Sequence, residues 1–164
     1  MVDLEIRQAQ VTDAIQTAEC LMAAFAPFRH LYTSDAFADT VPAADALRDR
    51  IERMTVYIAV VPAGLVVGTL AAACSDQEGH LRGMAVRPEW QGQGIARRLL
   101  MAAERYLIKS GCSRITLDTT EPLTKAICLY ESCGFARSGR VEDYFGMPLY
   151  EFVKQLPATE NFEL

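Results

Sequence analysis

Residues 87–100 read RPEWQGQGIARRLL and set two glycines and an alanine, Gly92, Gly94 and Ala96, at the entrance of a helix. Glycine inside a helix costs roughly 1 kcal/mol relative to alanine, so the cluster must serve turn geometry or a close approach to the backbone. The first amides of a helix have no intrahelical partner, and the helix dipole adds partial positive charge there. With no side chain at Gly92 and Gly94 and only a methyl at Ala96, a pyrophosphate can lie directly against those amides. A tight strand-to-helix turn without a ligand uses the same residue types, so the glycines alone leave both readings open.

Working outward, the helix presents Ile95, Leu99, Ala102, Ala103 and Tyr106 on one face and Arg97, Arg98, Arg105 and Lys109 on the other, and Ser110 with Gly111 ends it. HLRGMAV (80–86) before it and RITLD (114–118) after it read as strands, which makes the three elements a parallel crossover unit. VYIAVV (56–61) and LVVGTLAAAC (65–74), separated by Pro62, Ala63 and Gly64, read as a hairpin of buried strands.

At the start of the chain, Val2, Leu4 and Ile6 alternate with charged residues as in a half-buried strand. A helix capped by Thr12 or Asp13 follows, with Ile15, Ala18, Met22 and Phe25 as its apolar stripe. A second helix is expected over about residues 43–54, burying Ala46, Leu47 and Ile51. Between them PFRHLYTSDAFADTVP (27–42) has no sustained period, and long irregular connections are commonly functional or mobile. A last helix is expected over about residues 122–132, and FARSGR and PLYEFVKQL suggest two final strands.

A chain of 164 residues, 51% hydrophobic, suits one domain spanning 1–164. A formal charge of -5 argues against nucleic acid as a partner, since phosphate-backbone binding calls for a basic face. MVDLEIRQAQ lacks the apolar run of a secretory signal, and no later stretch is long enough to span a membrane, so a cytoplasmic protein without membrane attachment is expected. The cysteines, Cys20, Cys74, Cys112, Cys128 and Cys133, contain no C-x-x-C pair and read as reduced thiols. His30 and His80 are not at ligand spacing from a cysteine or from each other, so no metal site is expected.

Gly92-x-Gly94 before a helix, with Asp118 ending the next strand, also invites a dinucleotide-binding reading. Against it, Arg97 stands at the third glycine position, and five residues, Arg87 to Gln91, separate strand from glycines where that fingerprint needs a very short turn. The stretch instead resembles the GNAT superfamily of N-acetyltransferases, whose signature of Arg or Gln, two residues, Gly, one residue, and Gly or Ala is met by Gln91, Gly94 and Ala96. Met84-Ala85-Val86-Arg87-Pro88 resembles the end of that family's fourth strand, and Leu129-Tyr130-Glu131-Ser132-Cys133-Gly134-Phe135 its later L-Y-E-x-x-G-F segment. The strong similarity covers about residues 80–135, and the element order extends it over almost the whole chain. The fold it implies is a mixed α/β (α+β) domain. Its central sheet is largely antiparallel with splayed parallel fourth and fifth strands, flanked by about four helices. One position departs: Leu123 stands where many members carry Asn, and Thr119 or Thr120 is the nearest replacement, with helix capping their plainer role.

The resemblance implies acetyl-CoA as co-substrate and transfer of its acetyl group to a primary amine by direct attack. It assigns the pyrophosphate to the backbone of Gln91, Gly92, Gln93, Gly94, Ile95, Ala96 and Arg97, and the pantetheine arm to that of Met84, Ala85 and Val86. One of the latter amides, at Ala85 or a neighbour, would donate to the thioester oxygen. Tyr130 is the candidate proton donor to the departing thiolate, although its helical face, shared with Leu123, Ala126 and Ile127, is also that of a core tyrosine. Glu78, His80, Asp118 and Glu121 flank the fourth and fifth strands, and the sequence does not choose a base among them or a water chain. A nucleophilic Cys128 or Cys133 lacks an evident histidine partner. The acceptor is expected against residues 27–42 and Asp143, Tyr144 and Phe145, with the net charge weakly favouring a cation. A non-catalytic CoA-binding sensor is the alternative function, and a homodimer is left open.

Overall fold

The computed structural model describes residues 2–157. In chain order it contains β1 (Glu5–Gln8), α1 (Ala14–Phe25), α2 (Ser34–Thr40), α3 (Ala44–Arg53), β2 (Thr55–Val60), β3 (Val66–Ser75), β4 (Glu78–Val86), α4 (Ile95–Lys109), β5 (Arg114–Thr119), α5 (Thr124–Ser132), β6 (Ala136–Tyr144) and β7 (Met147–Gln155). The strands form one sheet in the order β1-β2-β3-β4-β5-β7-β6, antiparallel throughout except for the β4–β5 pair. Met1 and residues 158–164 of the expected domain lie outside the described residues.

That parallel pair is short. Glu78 to Leu81 face Arg114 to Leu117, and no pairing continues beyond them. The cause lies in β4, where Ala71 faces Arg82 but Thr69 faces Ala85, so β4 carries one residue more than β3 across this interval. The surplus sits at Gly83, whose φ of +67° suits glycine and few other residues. Such a bulge bends its strand and sharpens the twist, which steers the end of β4 away from β5. The end of β5 stays with β7, pairing Asp118 with Glu151 and Thr119 with Tyr150.

The main core lies between the sheet and α4, which buries Ile95, Leu99, Ala103 and Leu107 against Val67, Leu81 and Ile115. The helix lies close because two strand residues lack side chains. A Cβ at Gly68 would stand 3.1 Å from Ile95 Cγ2, and one at Gly79 would stand 2.8 Å from Leu107 Cδ1. On the other face α1 and α3 bury Ala14, Leu21, Phe25 and Leu47, joined by Phe37 from α2.

Four expectations need correction. The apolar stripe of α1 is Ala14, Thr17, Leu21, Ala24 and Phe25, whereas Ile15 and Met22 are exposed, because both sets recur at helical spacing and only packing chooses between them. Ala46 on α3 is likewise exposed. The connection 27–42 is not irregular: a 3₁₀ segment, Ala26–Leu31, leads into α2, where the Thr33 hydroxyl caps the Ala36 amide at 3.3 Å. Five α-helices flank the sheet among the described residues, in line with the expected about four. Cys74 and Cys112 are joined in a disulfide, against the expectation of reduced thiols, because the end of β3 and the turn after α4 bring their Cα atoms to 6.6 Å across 38 residues of sequence. Among the described residues no helix is long and apolar enough to cross a membrane.

Candidate active site

The gap between β4 and β5 opens into cavities on both sides. One, of about 530 Å³, is lined by Met84, Ala85 and Val86, by the turn from Trp90 to Arg97 apart from Gln93, and by α5. The other, of about 330 Å³, is lined by β4 and β5 around His80 and Asp118 and by Tyr32, Asp39, Arg50 and Tyr144. The two share Phe25, Met84, Leu123 and Tyr130, so they meet at the gap.

The larger cavity has the N-terminus of α4 at one end and the edge of β4 along the other. Gly92 and Gly94 both have φ of +78°, so the turn itself requires them, and a Cβ at either would meet no protein atom within 4 Å. Gly94 is the N-cap of α4 and offers no side-chain cap, while its carbonyl accepts from the Arg98 amide at 3.1 Å. The amides of Ile95, Ala96 and Arg97 are left without intrahelical partners. Arg97 adds positive charge at the rim, its guanidinium held by Ser132 Oγ at 3.0 Å, and Lys125 lines the same cavity. Gln91 ties the turn to the strand by donating from Nε2 to the Val86 carbonyl at 3.0 Å. Gln93 is exposed and does not line the cavity, so only its backbone amide belongs to the candidate set.

Along β4 the backbone alternates. Arg87 donates its amide to the Val67 carbonyl at 2.8 Å, and the register pairs Val86 with Gly68 and Ala85 with Thr69. In an antiparallel ladder this commits the Ala85 amide to β3 and turns Met84 and Val86 toward the gap. The neighbours of Ala85, rather than Ala85 itself, are thus the free donors facing the larger cavity.

Tyr130 projects from α5 into the shared wall. It is 6% exposed, and its ring meets Phe135 edge-on at 6.0 Å. Its hydroxyl has no hydrogen-bond partner among the described residues, and burial pushes its pKa well above the ordinary phenol value, so it is protonated at neutral pH. The ring packs in the core and the residue borders both cavities.

In the smaller cavity, the His80 Nδ1 and Thr116 hydroxyl share a hydrogen bond of 2.8 Å, and that hydroxyl also reaches the Gly79 carbonyl at 3.5 Å. His80 Nε2 stands 3.9 Å from Asp118 Oδ2. Desolvation raises the pKa of Asp118, with the charge of His80 opposing. The other acidic candidates are engaged elsewhere: Glu78 pairs with Arg114 at 2.9 Å, and Glu121 accepts from the Tyr150 hydroxyl at 2.7 Å. Thr120 shares a 2.6 Å hydrogen bond with the Tyr32 hydroxyl, and Thr119 Oγ1 is buried without a partner, so neither caps α5. Of the expected acceptor contacts, Tyr32, Asp39, Thr40 and Tyr144 line this cavity, whereas Asp143 and Phe145 do not. Phe145 is 51% exposed at the β6–β7 turn. Arg50, Arg82 and Gly83 were not singled out by sequence reasoning. Glycine inside a strand pattern was the available signal of a bulge at Gly83, while Arg50 reads in sequence as an ordinary polar helix residue.

Comparison with known proteins agrees with this geometry. The acetyltransferase (GNAT) family model matches residues 20–135. An aminoglycoside N(6')-acetyltransferase type 1 of Stenotrophomonas maltophilia is 37% identical over 75 residues, which is 46% of this chain and 48% of that protein. The N-acetylaspartate synthetase of Danio rerio is 37% identical over 90 residues, 54% of this chain and 32% of that protein. The chain thus spans half or less of the length of these curated relatives. In fold, the PaiA N-acetyltransferase of Thermoplasma acidophilum, solved with coenzyme A, superposes with a TM-score of 0.78 at 18% identity, covering 94% of this chain and 100% of that one.

Proposed function

The chain belongs to the acetyltransferase (GNAT) family, and from that premise we propose that it transfers the acetyl group of acetyl-CoA to a primary amine by direct attack. The observation that carries the reading is the meeting of two cavities at the β4–β5 gap, with Met84 and Tyr130 in their common wall. One cavity suits the thioester and the other the amine, so the reacting atoms approach through the gap.

The residues present fit the co-substrate. The partnerless amides at the start of α4, with Arg97 and Lys125 at the rim, would hold the pyrophosphate. The gap-facing backbone of Met84 and Val86 would hold the pantetheine arm and donate to the thioester oxygen as it gains charge. The amine reaches nitrogen nucleophilicity by losing a proton toward His80 Nε2 or Asp118, whose raised pKa makes it a stronger base than an ordinary carboxylate. Nitrogen then bonds to the carbonyl carbon and releases its surplus proton to solvent, the carbon–sulfur bond breaks, and the Tyr130 hydroxyl gives its proton to the leaving sulfur and is reprotonated from solvent. The products are an amide and free CoA.

Free-thiol release from acetyl-CoA, measured with a panel of primary amines and checked by mass of the acetylated amine, tests the proposal. Amine-dependent release supports it. Tight CoA binding without release by any amine would favour a CoA sensor instead.

A further inference from the structure

Arg50 reaches from α3 into the smaller cavity and lies over the bulge in β4, where a Cβ at residue 83 would stand 2.8 Å from its Nη1. The missing side chain of Gly83 makes room for this guanidinium. Among the described residues Arg50 makes no side-chain hydrogen bond or ion pair, although it is half-buried. Burial, then the nearby charge of Arg82, lowers its pKa to about 10, so it remains charged at neutral pH. Arg82 stands beside it, and its Nη2 is 3.4 Å from both oxygens of Asp39. Asp39 also accepts from the Tyr144 hydroxyl at 2.6 Å. Asp39 is therefore engaged by Arg82 and Tyr144 while Arg50 has no carboxylate of its own, which leaves this end of the cavity with a surplus positive charge.

Arg50 lines the cavity with Arg82, Asp39 and Tyr144, whereas Asp118 lines it beside His80, 3.9 Å from Nε2. The cavity thus carries guanidiniums from α3 and β4 and a carboxylate from β5. A polycationic acceptor would set an ammonium against the unpaired guanidinium, so local charge outweighs the chain's net charge of -5 in choosing the acceptor. At about 330 Å³ the cavity is also at the small end for ligand sites.

Building on the acetyl-transfer reading above, we propose that the acceptor is a small amine that also carries a carboxylate, an amino acid or its close relative, held through that carboxylate by Arg50 and Arg82 with its amine toward Asp118. Thiol release from acetyl-CoA is compared for the amino acids, their carboxamides, and polyamines with aminoglycosides. Amino acids should turn over with lower KM than their carboxamides. Arg50→Gln should raise KM for the amino acid by roughly 10- to 100-fold, the scale of a lost charge-assisted pair, while kcat and the carboxamide KM stay near wild type. Arg82→Gln should act in the same direction and serves if Arg50→Gln does not fold. Carboxamides or polycations used as well as amino acids, or a KM indifferent to both substitutions, would overturn the proposal while leaving acetyl transfer standing. Should no amine be acetylated although CoA binds, the transfer reading fails, and the anion site is read by calorimetry of N-acetyl amino acids on the CoA-bound protein. Binding lost in Arg50→Gln upholds the carboxylate site, and no binding refutes it.

Discussion

Replacing Tyr130 with Phe removes one oxygen from the wall between the two cavities and leaves the ring in place. The hydroxyl has no protein hydrogen-bond partner among the described residues, so no buried donor or acceptor is stranded by its loss. The edge-on contact with Phe135 at 6.0 Å persists, and stability should change by no more than about 0.5 kcal/mol. If the hydroxyl protonates the departing thiolate, kcat should fall by about 100- to 10,000-fold, the range for a lost general acid. That corresponds to roughly 2.7–5.4 kcal/mol of barrier at 1.36 kcal/mol per tenfold. Because the loss is confined to the transition state, kcat and kcat/KM should fall together and CoA affinity should hold. Steady-state thiol release, CoA titration and thermal unfolding on this one variant read all three quantities. Full turnover would refute the reasoning and leave thiolate protonation to solvent or to the amine's own proton.

Gly94→Glu should abolish CoA binding, since the new carboxylate enters the space above the turn, while Gly94→Ala carries only the backbone strain of φ +78°, about 1–3 kcal/mol, and should retain measurable affinity. Cys128→Ser with Cys133→Ser should keep most turnover, because neither thiol has a histidine partner and attack is direct; a trapped acetyl-enzyme would require a covalent route. Asp118→Asn should lower kcat most above the raised carboxylate pKa, where the wild-type base is ionised, and least on the acid side, where that base is already protonated, as a series of rates from pH 5 to 9 would read. Folding also raises the pKa of Tyr130 and Tyr144, so the native state stays protonated where the unfolded chain ionises. Their contribution to stability is therefore complete below about pH 10 and declines as pH rises past it, and Tyr130→Phe should reduce that alkaline decline in denaturant midpoints.

The turn proposed for the cofactor was legible because its geometry is local. Gln91, Gly94 and Ala96 lie within one turn at the start of α4, where a spacing in sequence is the same spacing in space. The order of β4, α4 and β5 followed from periodicity for the same reason. The acceptor side was legible only in part: residues 27–42, Asp118 and Tyr144 stood out, but Arg50 and Arg82 read alone as ordinary polar residues, since the cavity draws Asp39, Arg50, Arg82, Asp118 and Tyr144 from five different elements. What joins them is the bulge at Gly83, a tertiary feature whose trace in sequence is a single glycine. The misassigned face of α1 has a similar origin: Ile15 and Met22 are more apolar than Ala14 and Thr17, but the small residues let the helix lie against the sheet. The joining of Cys74 to Cys112 depends on the β3 end meeting the turn after α4, which no spacing reveals.

A crystal structure of the CoA complex tests whether the thioester and the amine meet through the gap between β4 and β5. Pyrophosphate oxygens are expected within hydrogen-bond distance of the amides from Gly92 to Arg97, the pantetheine arm against Met84 and Val86, and the sulfur within reach of the Tyr130 hydroxyl. CoA bound outside the gap, or a sulfur remote from Tyr130 and screened from the cavity around Asp118, would contradict that meeting.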